Sequence, residues 1–527
     1  MQSDCISHTQ LPGTSALFAD YLYHFDKVAR FYSRDPHDPD SLRRSALAVD
    51  YPDSRRATLV AALRKLNGDS AQLADLELPG TVAVVTGQQV GLFSGPAYTI
   101  YKALSAAKLA RELSASGIRA VPVFWLATED HDLAEVDHCW VYGRDKQPVE
   151  LRLSANGGGS TQRPVGSLPI QQPPVDALRM ALAGSLYADE IVTLVEEAYR
   201  PGVTLGDAFR HLLQRLLAGY GLIFIDPLDE GIRRLAAPLL ATAVSKAPEL
   251  SVAVAERSRQ LTDAGYHAQV HFEEHTSFFF LLENGRRLPL RRKNGEYFQE
   301  GRRISAGELA ARADHLSPNA LLRPVLQDYL LPTAAYVGGP AELAYLAQSQ
   351  VLYQELLGRV TLPLPRSGFT LIDERAKRLL HQYRLQLSDC FEGEVSLREK
   401  IAAKLIPPAV ENTINEVASS VASQVARLEH ALQSYDPTLA EAMVRSKAKI
   451  AYQVEKIRGK AAREALRRET RVEEGVAHLN GLLYPKKHLQ ERFYSILPFL
   501  ADHGLELLDT IYDNVHTGCV DHHVMTV

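Results

Sequence analysis

VAVVTGQQVGLFSGPAYTIYKALSAAKLARELSASGIRAVPVFWLA, residues 82–127, places an apolar run, a glycine-rich loop, an alanine-rich segment and a second apolar run in succession. Val82–Val85 is short and β-branched, and residues 121–127 have no polar break. Each therefore reads as a strand covered on both faces, as in a buried parallel sheet. Residues 97–115 between them have helical character, and Gly117 suits the position that closes a helix. Strand, helix, strand is a βαβ unit. In open parallel sheets, ligands bind beyond the carboxyl ends of the strands, where helix N-termini aim free N–H groups outward. Chemistry is expected in the loops that follow the strands.

The loop 86–96 is not a Walker A sequence, because no Gly-Lys-Ser/Thr follows, and its glycines, Gly87, Gly91 and Gly95, stand four apart, which is not GxGxxG. Thr86, Gln88, Gln89 and Ser94 offer neutral hydrogen-bonding groups, and Tyr98 and Lys102 follow on the helix. Such groups suit polar substrate atoms or a carboxylate better than a triphosphate. A tight turn with its glutamines in water is the competing reading.

Beyond the second strand, TEDHDLAEVDHCW (128–140) crowds carboxylates and two histidines together. If the segment is helical, His131, Glu135 and His138 share one face. Glu129, Asp130, His131 and His138 are read as acid–base or recognition groups, with no metal, against a solvated acidic helix start. A third stretch, LSPNALLRPVLQDYLLPTAAYVGGPAELAYLAQ (316–348), runs from strand-like TAAYV into Gly338-Gly339-Pro340, with Glu342 opening a helix. That predicts an anion-receptive N-terminus, with Asn319 and Arg323 upstream and Tyr336 and Tyr345 beside the turn. A surface pair of Arg323 with Asp328 is the alternative for those two side chains. Asp226 and Asp229 fit Asx turns. Lys486, Lys487, His488 and Arg492 are basic groups near an anionic ligand or on a charged helix face. Cys519, Asp521, His522 and His523 are read as a mobile chain end rather than a metal site.

Helices are expected over residues 15–75, and further strands at GLIFID (221–226), SFFFLL (277–282) and TAAYV (333–337). NGGGSTQRP (156–164) reads as an exposed loop, and two Asn-Gly turns mark hairpins in 282–298. After Ile372 the strands stop. Val410, Ile414, Val417, Val421, Val425, Leu428 and Leu432 step by three or four, and Met443, Ile450 and Ile457 repeat every seven. This is an antiparallel coiled-coil hairpin about Asp436-Pro437. The fold class is α/β: a Rossmann-like parallel-sheet core over 1–375 with insertions at about 150–220 and 260–315, a helical coiled-coil hairpin over 376–481, and a C-terminal segment, 482–527, packing on the core.

With 527 residues, 46% of them hydrophobic, and a net charge of −5, the chain has no global field to draw in nucleic acid or an anionic membrane. Its four cysteines are far apart, without zinc-type spacing, and MQSDCISHTQLPG lacks the basic and apolar regions of a secretory signal. A cytoplasmic protein is expected.

Together VVTGQQVGLFSGPAYTIYKALSAAKLA (84–110), VPVFWLATEDHDLAEVDH (121–138), the 316–348 stretch and LQERFYSILPFL (489–500) resemble the bacillithiol-synthesis family of cysteine ligases known as BshC. The resemblance covers nearly the whole chain. It implies a Rossmann-type core related to class I aminoacyl-tRNA synthetases, connecting-peptide insertions, and a coiled coil that makes a homodimer. The implied reaction joins the carboxyl of cysteine to the amine of glucosaminyl-malate, the last step of bacillithiol biosynthesis. The synthetase kinship implies ATP or ADP. However, Tyr101-Lys102-Ala103-Leu104 stands where HIGH histidines would, and no KMSKS-like loop occurs near LPRSGFTLIDERAK (364–377), so the activating cofactor stays open. On this reading Glu129, Asp130, His131 and His138 are catalytic, and Thr86, Gln88, Gln89, Gly95, Tyr98, Lys102, Asn319, Arg323, Tyr336, Gly338, Gly339 and Glu342 bind substrate. Two alternatives remain: an amide-forming ligase or acyltransferase with a different amine, and a non-catalytic coiled-coil scaffold.

Overall fold

Five parallel strands in the order β5-β4-β1-β2-β3 carry the structure: β1 Val82–Gln89, β2 Ala120–Ala127, β3 Ile223–Ile225, β4 Thr333–Gly338 and β5 Leu362–Pro365. The computed structural model describes residues 3–154, 162–273, 275–293, 295–469 and 471–527. β1 and β2 run in register from Val82 beside Ala120 to Gln89 beside Ala127. Side chains alternate between the faces, as the two-residue period of a strand requires. Val82 and Val84 pack with Leu109 and Leu113 of α1 (Tyr98–Ala115), whereas Ala83 and Val85 join the core that holds Leu59 and Leu63 of the helix Asp53–Asn67. Burial on both faces explains the unbroken apolar runs.

The chain winds outward from β1 through β2 to β3, then crosses to the other side of β1 for β4 and β5. Strand order thus reverses between β1 and β4, and a crevice opens beyond their carboxyl ends, at Gln88-Gln89 and Gly338-Gly339. Gly87 is required by this packing. A Cβ there would lie 2.7 Å from the Trp125 carbonyl oxygen on β2.

The expected strand at 221–226 is confined to Ile223–Ile225, because Gly221 turns with φ 69° just before it. SFFFLL lies in the strand Thr276–Glu283, part of a separate antiparallel sheet with Arg286–Lys293, Glu296–Gln299, Arg302–Ile304 and Leu316–Pro318. Asn284 and Gly285 have φ 53° and 71°, the left-handed pair of a tight hairpin turn. Asn294 of the second turn, and residues 156–161 of the expected exposed loop, lie outside the described residues.

Two compact units result. One comprises Met1–Arg144, Pro148–Thr370 and Gln490–Met525; the other comprises Asp145–Gln147, Leu371–Leu489 and Thr526–Val527. The segment expected to run from 482 to 527 is therefore divided at Leu489. Nor is the chain end a loose tail. It forms a strand running antiparallel to the amino-terminal one, with Ser3 opposite Met525 and Ile6 opposite His522, and His522 and His523 are fully buried.

In the second unit, α4 (Pro408–Tyr435) and α5 (Pro437–Arg468) form the antiparallel hairpin. Lys447 pairs with Glu429 at 3.1 Å, and Arg458 with Glu411 and Asn415, which fixes the opposed directions. The seven-residue repeat does not mark its seam: Ile450 is 38% exposed and Ile457 59%. One helical neighbour covers a single narrow stripe, and the rest of the apolar surface stays outside it.

Candidate active site

A cleft of about 600 Å3 occupies the crevice predicted by the strand order. Its first wall comes from α1 and from the turn after β4. Lys102, nearly inaccessible on α1, extends its Nζ to the Gly87 carbonyl at 2.9 Å, Gln88 Oε1 at 3.0 Å and Glu342 Oε2 at 2.5 Å. Glu342 stands in the first turn of α3 (Pro340–Leu357), where its carboxylate accepts the Gly339 N–H at 2.8 Å and the Tyr336 hydroxyl at 2.5 Å. Burial alone would raise this carboxyl, but Lys102 and the Gly339 N–H outweigh it and hold it below the usual carboxylate range. The helix N-terminus expected to receive a ligand anion is thus filled by the chain's own Glu342.

Positive charge comes instead from arginines. Arg323 opens α2 (Arg323–Leu330) and donates to Tyr345 at 2.7 Å and Gln327 at 3.1 Å. It makes no surface pair with Asp328, which is buried against Thr361. Arg366, directly after β5, makes a two-pronged pair with buried Glu491 at 2.5 and 2.8 Å. Burial would raise Glu491, yet Arg366 holds it down at about 2. Arg366 and Arg492 lie 5.4 and 5.9 Å from the Tyr98 ring.

The opposite wall follows β2. Glu129 is 8% exposed and accepts the Ser317 hydroxyl at 3.0 Å. Burial raises its carboxyl to about 7, against the opposing pull of Arg287 and Ser317. Asp130 accepts from Gln89 at 2.5 Å. The cleft therefore sets a cationic arc, suited to carboxylate or phosphate, across from a carboxyl able to exchange a proton near neutrality.

Two family models span the chain: the bacillithiol biosynthesis BshC N-terminal Rossmann-like domain matches residues 1–367, and the BshC C-terminal coiled-coil domain matches residues 369–527. A protein of Solibacter usitatus named "Putative cysteine ligase BshC" is 52% identical over all of both chains. Proteins of the same name from Koribacter versatilis and Salinibacter ruber are 40% identical over all of both chains, and 33% identical over 97% of this chain and 96% of theirs. The chain belongs to the BshC family.

Within this BshC chain, Gln88, Gln89, Tyr98, Lys102, Glu129, Asp130, Asn319, Arg323, Tyr336, Gly339 and Glu342 all line one cleft, although they come from three separated stretches. The other expected site residues stand apart from its lining. Thr86 is buried below the floor, where its hydroxyl ties β1 to the Val337 carbonyl at 2.8 Å. Gly338 ends β4 beneath Leu343 and accepts the Arg366 N–H at 3.0 Å through its carbonyl. Gly95 serves a turn, with φ 64°, in a loop buried against the C-terminal segment; nearby, Ser495 donates to the Phe93 carbonyl at 3.0 Å and the Ala97 N–H meets the Tyr494 carbonyl at 2.7 Å. The expected helical face of His131, Glu135 and His138 does not form, because the helix is only Leu133–Val136 and a strand begins at His138, opposite Arg152. His138 contacts Asp137 at 3.0 Å, and Arg152 takes the same carboxylate. His131 borders the cleft through Arg287, with Nδ1 2.9 Å from the guanidinium.

Arg366 and Arg287 line the cleft without having been anticipated. Arg366 follows a parallel strand directly, so the rule of carboxyl ends would have found it had LPLP been recognised as β5. Arg287 is one of five basic residues in RRLPLRRK. Nothing in that run distinguishes it.

Proposed function

We propose that this chain joins the carboxyl of L-cysteine to the amine of glucosaminyl-malate, the last step of bacillithiol biosynthesis. Family membership supports a carbon–nitrogen ligase. The observation that carries the finer reading is the lining of the cleft, where Arg323 and Arg492 stand beside the ion pairs Lys102–Glu342 and Arg366–Glu491, and Glu129 and Asp130, after β2, line it together with Arg287. A malate carries two carboxylates and a glucosamine carries an amine, so one substrate presents both a partner for the arginines and a proton for the carboxyl wall. A carboxylate and an ammonium do not condense at useful rates, and amide formation needs an activated acyl group beside a free amine. Holding the two reactants in one cleft supplies proximity. ATP is the activating reactant that the synthetase kinship implies. The exposed apolar residues of α4 and α5, among them Val417, Leu428, Ile450 and Ile457, are where a second copy would pair to make a homodimer.

Incubating the purified chain with cysteine, glucosaminyl-malate and ATP, and following products by mass spectrometry, tests the reading. The amide product is expected. Its formation without ATP would exclude an adenylate, and its absence with ATP, or with a pre-activated cysteinyl donor, would overturn the ligase reading.

A further inference from the structure

We propose that Arg287 is a positioning residue that holds His131 as the neutral imidazole protonated on Nε2, and that Glu129, not His131, takes the proton of the attacking amine. The first half stands on this structure alone; the second rests on the ligase reading above.

Arg287 is itself fixed from several sides. Its Nε donates to Ser317 Oγ at 3.0 Å, one Nη donates to the Pro318 carbonyl at 3.0 Å, and its guanidinium lies 3.8 Å from the centre of the Phe280 ring. Only 8% of the residue is exposed. The remaining Nη faces His131 Nδ1 at 2.9 Å. A guanidinium has donors and no acceptor, so the nitrogen it faces must offer its lone pair. The ring proton then sits on Nε2, and a second proton on Nδ1 would set two donors against each other. Asp130 Oδ1, 3.7 Å from Nδ1, and Asp132 favour the imidazolium, but burial and Arg287 prevail and lower the His131 value. A neutral His131 with its acceptor nitrogen already taken keeps only the Nε2–H as a donor. It has no lone pair left for an ammonium proton.

The same arginine orders the other candidate. Ser317 accepts from Arg287 Nε, so its own proton points to Glu129 Oε2 at 3.0 Å. Glu129 lines the cleft with one hydroxyl, rather than a cation, in direct contact. Arg287 and Arg233 lower its carboxyl from a distance, Asp226 raises it, and burial exceeds all of these. In the transfer, an N–H bond of the ammonium breaks, its electron pair stays on nitrogen, and an O–H bond forms on Glu129. The resulting neutral amine then attacks the activated acyl carbon.

Full-length protein labelled with 15N-histidine gives a direct readout, with the His131 signal assigned by loss in His131→Gln. A pyridine-type Nδ1 and a protonated Nε2 at pH 7 are expected. A proton on Nδ1, or an imidazolium, would overturn the first half whatever the enzyme makes. In Arg287→Met the histidine should titrate at higher pH than in wild type; an unchanged value would also count against it. Should that variant fail to fold, the wild-type spectrum still decides. For the second half, the rate of amide formation from a pre-activated cysteinyl donor is followed against pH. Glu129→Gln should lower it roughly 100-fold or more and remove the limb near pH 7, Ser317→Ala should move that limb, and His131→Gln should leave its position unchanged. Loss of the limb in His131→Gln alone would overturn the assignment.

Discussion

Glu342 and Glu129 are both glutamates largely withdrawn from water in one cleft, and they behave in opposite ways. Glu342 touches the Lys102 ammonium at 2.5 Å and a backbone N–H at 2.8 Å, and its carboxyl is held ionised. Among the described residues Glu129 accepts the Ser317 hydroxyl, the Arg287 charge lies beyond that hydroxyl, and its carboxyl rises to about 7. What separates them is a single interposed hydroxyl. Direct contact with a cation offsets the loss of hydration, and contact at one remove does not. One wall of the cleft is thereby a fixed scaffold of charge, and the other is a group that can change its protonation.

The largest test of this contrast is Glu342→Gln. It leaves the Lys102 ammonium buried without its partner, and a loss of roughly 3–5 kcal/mol in urea unfolding is expected. The double variant with Lys102→Met should recover part of that loss, since the two residues share one interaction. If Glu342→Gln costs no more than an exposed carboxylate would, the scaffold reading fails.

The pH dependence of stability separates the two glutamates next. Glu129 is raised in the folded state, so its contribution is complete below its ordinary value of 4.5 and is lost as pH rises to about 7. Between those limits wild type should lose on the order of 3 kcal/mol more than Glu129→Gln does. Glu342 is depressed, so its contribution is present above 4.5 and is lost as pH falls below it. Equal slopes for wild type and Glu129→Gln between pH 4.5 and 7 would erase the distinction.

Gly87→Val probes the floor on which both walls stand. Its Cβ would meet the backbone and Cβ of Trp125 at 2.7 and 2.8 Å, and a loss of about 1–3 kcal/mol in thermal or urea unfolding is expected. The smallest effect belongs to Arg458→Ala on the coiled-coil hairpin. That pair with Glu411 is partly in solvent and should contribute less than about 1 kcal/mol, diminishing further in salt. A loss as large as that of Glu342→Gln would mean that burial does not govern these pairs.

Much of the cleft was legible in the chain because its wall residues follow strands, and strands buried on both faces announce themselves as apolar runs. Gln88, Glu129 and Glu342 were found in this way. Gly95 and His138 were misplaced for a common reason: a polar or glycine residue after a strand serves a turn or a second strand as readily as a site. Local sequence does not separate these roles. Arg287 stayed hidden because its position depends on an antiparallel sheet folding back to the end of β2.

The sequence by itself determined the βαβ unit, the parallel core, the helical hairpin and the family, because hydrophobic period and long motifs are local properties of the chain. Only the tertiary structure decided that Glu342 is an ion-paired plug on its own helix, that Glu129 is raised, and that Arg287 faces His131. Those properties arise from distances between groups far apart along the chain and from the water excluded between them, which no window of sequence contains.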